Sequence, residues 1–585
     1  MSAPTVTSPA MGLAEAAGLL PLWQGPLLPL IALAWPLLIG CLISLPVLRK
    51  RAIKLLPLAP LPALALVIAP PAEATLVPTL LLGLSLEIDQ VGRVLLAMCA
   101  ALWLAAAIYA AAYMRRPRKP AIFSGFWCLT LAGNIGVFLA ADAVTFYVAF
   151  AAVSLASYFL IVQEGTREAL RASRIYIVLA IVGEAMLLIG VVLVLADADS
   201  TAIVDVRAAL GDGRMEPVLR HLALGLLIGG FGIKAGLVPL HVWLPLAHPA
   251  APTPASAVLS GAIVKAGLIG LIRFLPEGDA ITGAVLVGLG LTGAYLAVGL
   301  GLGQRRIKAV LAYSTVSQMG LIIAALGAGL AAGRSDAIES VTLYALHHGF
   351  AKGALFLSVG LLPLTQSRTR WLLLAFAAAV SLSISGLPGT GGALAKAAIK
   401  PAFSETLAIL VTSSGIATTA ILARYLFLAY RVDGGAEKTE GSANMWLSML
   451  ACGLAALVLP WLLWAMHDPR PIAYVLKGES IWTGLWPVLV GSALALIIGR
   501  VLLRHSPGYP RVPEGDLVNP IERLAENVIE AVRQRPGIGP STPGAWYARR
   551  LMAWAQSLEN LLVRVPVAGV VMLGVLLLIA LILWP

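Results

Sequence analysis

Charge is what this sequence has least of. Asp, Glu, Lys and Arg make up 12% of its residues, 59% are hydrophobic, and the mean hydropathy is +0.90. A soluble domain carries about twice that charged fraction. A long polar stretch is missing as well, which excludes a sizeable soluble domain. Cysteine is scarce: Cys41, Cys99, Cys128 and Cys452 all lie inside apolar runs, without metal-ligand spacing. No zinc, haem or iron–sulfur motif is present, so no cofactor and no metal site is expected in this chain. The formal net charge of +12 does not indicate nucleic acid, because the cations come as short clusters between apolar runs. Membrane loops have that distribution.

What is abundant is apolar runs of about 20 residues, enough to span a bilayer. They predict spans near 27–47, 52–70, 89–113, 120–140, 142–162, 171–196, 218–243 and 253–274. Further spans follow near 279–302, 307–329, 338–362, 370–398, 403–430, 445–466, 480–503 and 565–584. Basic clusters (Arg49 to Lys54, Arg115 to Lys119, Arg305 to Lys308) alternate with loops bearing Glu87, Asp89, Asp197, Asp199, Asp205, Asp212, Glu277 and Asp279. All basic clusters then fall on one side. The expectation is a cytoplasmic basic side and an outside N-terminus in the cell inner (plasma) membrane, with the first span retained and not cleaved as a signal.

Two spans carry breaks. Gly236-Leu-Val-Pro239-Leu-His241-Val-Trp-Leu-Pro245 interrupts the seventh, and Ser385-Gly-Leu-Pro388-Gly389 the twelfth. They lie five spans apart, as in a chain whose spans 4–8 and 9–13 form two repeated halves. Paired breaks point to an ion pathway, because unwound backbone survives at membrane depth only beside protein or water. Two ordinary proline kinks are the plainer alternative. Beyond span 15, residues 517–533 and 544–562 have one apolar face each and read as interfacial helices. A simple tether to the last span would look the same.

Lysines within spans require an explanation, since each costs roughly 2.5–3.5 kcal/mol on insertion scales. Lys234, Lys265, Lys352 and Lys396 all lie inside spans or beside a break, His241, His248 and His348 belong to the same segments, and Glu184 sits mid-span in the sixth. A desolvated lysine exchanges its proton more readily than one in water, a neighbouring lysine repels its charge, and a carboxylate restores it. Histidines bridge gaps between them. One lysine alone could snorkel to the interface; four with a carboxylate and three histidines predict a proton relay.

The residues around these charges resemble a known family. The run Phe231-Gly-Ile-Lys234-Ala-Gly-Leu-Val-Pro239-Leu-His241-Val-Trp-Leu-Pro245, then His248, Pro252-Thr-Pro254, Ser260-Gly261 and Lys265-Ala-Gly267, is similar to the signature of antiporter-like membrane subunits. That family serves respiratory complex I (NADH:quinone oxidoreductase), multisubunit cation/proton (Mrp-type) antiporters and membrane-bound hydrogenases. Lys308 with Leu311-Ala-Tyr313-Ser314 and Gln318, His348 to Lys352, and Gly386 to Lys396 extend the likeness over residues 85–430. The resemblance implies an all-α integral membrane protein with a fourteen-helix core, two inverted five-helix repeats and two broken helices, plus C-terminal interfacial helices and extra spans. The corresponding division is 1–114, repeats at 115–275 and 276–430, spans at 431–503, and 504–585 for the interfacial helices and final span.

The resemblance also implies a proton-translocating subunit of a multisubunit ion-pumping complex, with two half-channels linked by the buried Lys/His row. Its partners would be other membrane subunits, protons, the lipid bilayer and, as a further ion, sodium; nucleic acid is not among them. Any oxidoreductase activity would belong to partner subunits. Alternatives are a scaffold that has lost transport, and the membrane subunit of an inorganic-carbon uptake complex. An autonomous metabolite transporter fits less well, since no varied substrate pocket is visible. Three family carboxylates are absent: Ala151, Leu246 and Arg306 stand in their places. The first normally faces the lysine at position 234, and Glu184 is the candidate to replace it.

Overall fold

The computed structural model describes residues 27–48, 51–114, 120–433, 442–467, 476–504, 513–515, 520 and 550. The expected interfacial helices at 517–533 and 544–562, the span at 565–584 and the basic cluster Arg115 to Lys119 lie outside the described residues, but for isolated positions.

The chain is almost entirely helical. In order, the helices are α1 Leu27–Ser44, α2 Ala52–Leu55, α3 Leu61–Ile68, α4 Gln90–Tyr113, α5 Pro120–Leu139, α6 Ala143–Ile161 and α7 Arg167–Leu195. Next come α8 Ile203–Gly211, α9 Pro217–Ala235, α10 Trp243–Ala250, α11 Thr253–Val258, α12 Val264–Phe274, α13 Ala280–Leu302 and α14 Ile307–Ala331. The remainder are α15 Ser335–Leu361, α16 Ser367–Ser385, α17 Gly391–Ile399, α18 Glu405–Tyr430, α19 Ala443–His467 and α20 Gly478–Arg504. A two-stranded hairpin, β1 Thr75–Val77 with β2 Leu84–Leu86, joins α3 to α4.

Among the described residues twelve helical segments are long and apolar enough to cross a membrane, and two shorter apolar ones, Leu27–Ile43 and Ala52–Ile68, precede them. The second expected span is therefore not one helix; Pro57 and Pro60 divide it into short pieces. The seventh stops at Ala235 and resumes at Trp243, and the twelfth stops at Ser385 and resumes at Gly391. The eighth contains a π-helical turn, Leu259–Ile263.

The acidic loops have a local function that loop counting does not reveal. Asp89, Asp142 and Asp279 are N-caps, accepting hydrogen bonds from the backbone N–H of Gly92 (2.6 Å), Thr145 (2.8 Å) and Thr282 (3.1 Å). Each satisfies donors left open in the first helical turn and favours the positive end of the helix dipole. Asp279 also pairs with Arg220. Partial burial works against its charge, but the Thr282 N–H and Arg220 outweigh that and hold its carboxyl below the usual range. A depressed pKa stabilises the fold above the unfolded value, about 3.9, and the contribution fades as pH falls through the folded value. Asp279→Ala is expected to cost about 1 kcal/mol at neutral pH. Thermal unfolding in detergent should show that gap narrowing below about pH 4.

The residue pattern also decides which helices are central. α14 and the stretch from α11 through α12 are buried over their whole apolar length, whereas α7, α13, α18 and α20 keep an outward face. On α7 that face is Val178, Ile181, Val182, Leu188 and Val192, while Ala180, Gly183, Glu184, Leu187 and Val191 point inward. These two stripes follow the helical period.

Candidate functional site

Both breaks are closed by the same backbone device. Gly236 (φ 77°) and Gly386 (φ 96°) adopt the left-handed conformation that ends a helix. Leu237 N–H then bonds Gly232 C=O (2.8 Å), and Leu387 N–H bonds Leu382 C=O (3.0 Å). One further carbonyl near each end is met by a side chain from beyond the break. Trp243 Nε1 donates to Ile233 C=O (2.7 Å), and Lys396 Nζ donates to Ser385 C=O (3.1 Å). A helix C-terminus carries about half a negative charge, which favours a cation there.

Lys234 occupies the last turn of α9, buried at 4% exposure. Its Nζ donates to the Tyr176 hydroxyl (3.1 Å) and lies 5.6 Å from the Phe150 ring centre. Tyr176 in turn donates to Ser154 C=O on α6 (2.8 Å). Glu184, from the inward stripe of α7, lines the same cavity as Lys234, Tyr176, Ser154, Phe150 and Trp243. Neither carboxylate oxygen of Glu184 has a hydrogen-bond partner.

Lys265 follows the π-helical turn. That turn frees Ser260 C=O to accept from Lys265 Nζ (3.1 Å), while Nζ also lies 2.8 Å from His348 Nδ1 on α15. Ser260 Oγ meets Thr315 Oγ1 at 2.7 Å. One helical turn after His348, Lys352 donates to Leu311 C=O (3.2 Å) and to the Ser314 hydroxyl, both on α14. His347 Nε2 contacts Ser383 Oγ (3.0 Å), which also accepts the Gly392 N–H, so this histidine spans the second break. Lys396 lines a second cavity with Lys400, Thr412, Ser480 and Thr483.

The four lysines and His241, His248 and His348 are all buried, with differences between them. Lys265, His348 and Lys352 form one buried cluster, and Lys396 stands apart from it, hydrogen-bonded to Ser385 C=O across the second break. No hydrogen bond among the described residues joins Lys234 to Lys265. His248 stacks on Phe356 (centres 4.6 Å, 26°) with neither ring nitrogen hydrogen-bonded, and His241 packs edge-on to Tyr313 (6.2 Å). Tyr176 and His347 carry no mark in the sequence, nor do Tyr344 and Thr418, which the motif residue Gln318 joins into one chain (2.7 and 3.0 Å). The adjacency of His347 to His348 was the one available signal. The two other substituted positions lie beside residues 514 and 515. Arg306 pairs with Glu168 (2.8 Å) and Glu514 (3.4 Å), and Leu246 is buried beneath Gly515.

Residues 140–421 match the family described as NADH:quinone oxidoreductase/Mrp antiporter, TM. Hydrogenase-4 component B of Escherichia coli is 31% identical over 292 residues, 47% of this chain and 43% of that protein. NADH-quinone oxidoreductase subunit N of Desulforudis audaxviator is 32% identical over 341 residues, 54% of this chain and 65% of that one. The matched stretches thus span less than two thirds of these relatives. A chain of the Mrp complex from Dietzia sp. DQ12-45-1b superposes with a TM-score of 0.71 at 22% identity, over 92% of this chain and 63% of that chain. At that identity the likeness speaks for the fold alone.

Proposed function

Since this chain is an antiporter-like, multi-pass membrane subunit of the NADH:quinone oxidoreductase/Mrp antiporter family, we propose that it translocates protons within a larger membrane complex. In this reading protons pass through two half-channels, residues 115–275 and 276–430, linked by the row Lys234, Lys265, Lys352 and Lys396 with His241, His248 and His348. The complex sits in the inner (plasma) membrane with the N-terminus outside and the basic loops cytoplasmic. Partner subunits supply the chemistry that drives or uses the proton movement.

The observation that carries the proposal is the Lys265–His348–Lys352 cluster. Its contacts, amine to imidazole at 2.8 Å and amine to carbonyl at 3.1 Å, contain no carboxylate. Keeping two lysines buried beside one histidine is expensive. A scaffold would gain stability by losing them, whereas a relay needs groups whose charge is easily given up. The experiment is proton uptake into inverted vesicles that hold the native complex. Lys396→Ala is expected to lower uptake on the order of tenfold or more with assembly intact. Lys396→Arg should not restore it, because a guanidinium keeps its proton at any working pH. Uptake at the wild-type rate in Lys396→Ala would leave the scaffold as the better reading.

A further inference from the structure

We propose that Glu184 is the acid partner of Lys234, with Tyr176 as the acceptor that holds the lysine apart from it in the resting arrangement. The inference rests on the proton-relay reading above and assigns its first member a partner on a different helix from the one where relatives of this kind carry a carboxylate.

A buried carboxyl with two unpartnered oxygens is unfavourable unless something compensates it. Glu184 is 8% exposed, on the inward stripe of α7, and both of its oxygens lack a hydrogen-bond partner. Nothing in its helix forces this position, since the outward face of α7 carries no charge from Val178 to Val192. Within the same cavity Lys234 has one hydrogen-bond acceptor, the Tyr176 hydroxyl at 3.1 Å. No ion pair within 4.0 Å joins Lys234 to Glu184. Two complementary ionisable groups therefore line one closed space, each short of what its charged form requires.

Tyr176 explains how they are kept apart. Its hydroxyl hydrogen is committed to Ser154 C=O at 2.8 Å, so its oxygen is turned to accept from Lys234. A lysine stem rotates freely about its four carbons. Leaving Tyr176 brings the amine toward the carboxyl across the cavity. The exchanged species is one proton: the O–H bond of the neutral acid breaks, an N–H bond forms on the neutral amine, and a carboxylate–ammonium pair results. The ammonium then gives its proton either back to the carboxylate, which restores the neutral pair, or onward to the next group of the relay, which leaves the Glu184 carboxylate to take up a new proton. Tyr176 is a positioning residue in this scheme.

The experiment measures proton uptake in vesicles holding the native complex for Glu184→Gln, Lys234→Met and the double variant. Glutamine keeps the shape of glutamate and removes its titration. Groups that act as a unit lose their effect once, so the double variant should be no slower than the slower single one, with each at least about tenfold below wild type. Wild-type uptake in Glu184→Gln, or losses that multiply in the double variant, would overturn the assignment. If Glu184→Gln fails to assemble, Ala151→Glu is added to it. Position 151 lies on α6 between Phe150 and Ser154, both of which line the cavity. Restored assembly and partial uptake support a carboxylate requirement in this space; continued failure to assemble overturns it. Wild-type uptake in Lys234→Met would instead refute the relay reading on which this inference stands.

Discussion

Lys265→Ala is expected to reduce proton uptake on the order of a hundredfold, the scale that follows when a reacting group is lost from a fitted relay. Lys265 Nζ lies 2.8 Å from His348 Nδ1, a contact that would join the two proposed halves. His348→Ala should therefore cost nearly as much, and the double variant little more than either alone. Lys265→Arg should fail as well. Its guanidinium cannot shed a proton, and its planar fork does not fit between Ser260 C=O and an imidazole nitrogen. Uptake in inverted vesicles settles the matter, with the complex checked for assembly by co-purification. If His348→Ala transports normally, protons do not cross between the halves through this contact.

The second large effect concerns packing. Gly283 and Gly290 on α13 face Gly327 and Gly320 on α14, seven residues apart on each helix. A Cβ at position 290 would stand 2.5 Å from Gly320 C=O and 2.7 Å from Ala324 N, so backbone meets backbone. Small residues permit this approach between helices in a membrane. Gly290→Val must push the two helices apart, and α14 carries Ser314 and Leu311, which hold Lys352. The expected loss is about 3 kcal/mol or more, at the upper end of overpacking, read as a collapse in the yield of folded protein in detergent. Gly288→Ala, where an added Cβ meets nothing within 4 Å, should be tolerated. Equal yields for the two variants would show that the crossing is looser than its geometry.

Much of this architecture was legible from the residues, for identifiable reasons. Buried lysines stand out in a sequence because so little else in an apolar span is charged, and all four occupy the interior. The breaks announced themselves through Gly–Pro runs, since the left-handed residue at 236 and at 386 has to be glycine. Glu184 followed the same logic, and its inward orientation agrees with the apolar stripe on the other side of α7. The π-helical turn before Lys265 left no periodic trace, because a single added residue inside an apolar helix changes neither its hydropathy nor its length appreciably. Tyr176 and His347 were missed because their function depends on which helix stands opposite, and hydropathy within one span does not encode that. Neither did the pattern disclose that Asp89 and Asp279 cap helices, since the same aspartates also satisfy the charge asymmetry of the loops.

The two breaks, similar in backbone, differ in which side of the joint bears the lysine. Lys234 belongs to the segment before its break and is tied sideways to Tyr176, so bending at Gly236 displaces Trp243 and leaves the amine where it is. Lys396 belongs to the segment after its break and reaches back to Ser385, so bending at Gly386 stretches the bond that seats the amine. The first lysine is thus insulated from hinge motion and answers to the charge across its cavity. The second is coupled to hinge motion and answers to force. With Ser480 and Thr483 of α20 lining the Lys396 cavity, a neighbour that leans on α20 has a mechanical handle on this end of the row that it lacks on the other.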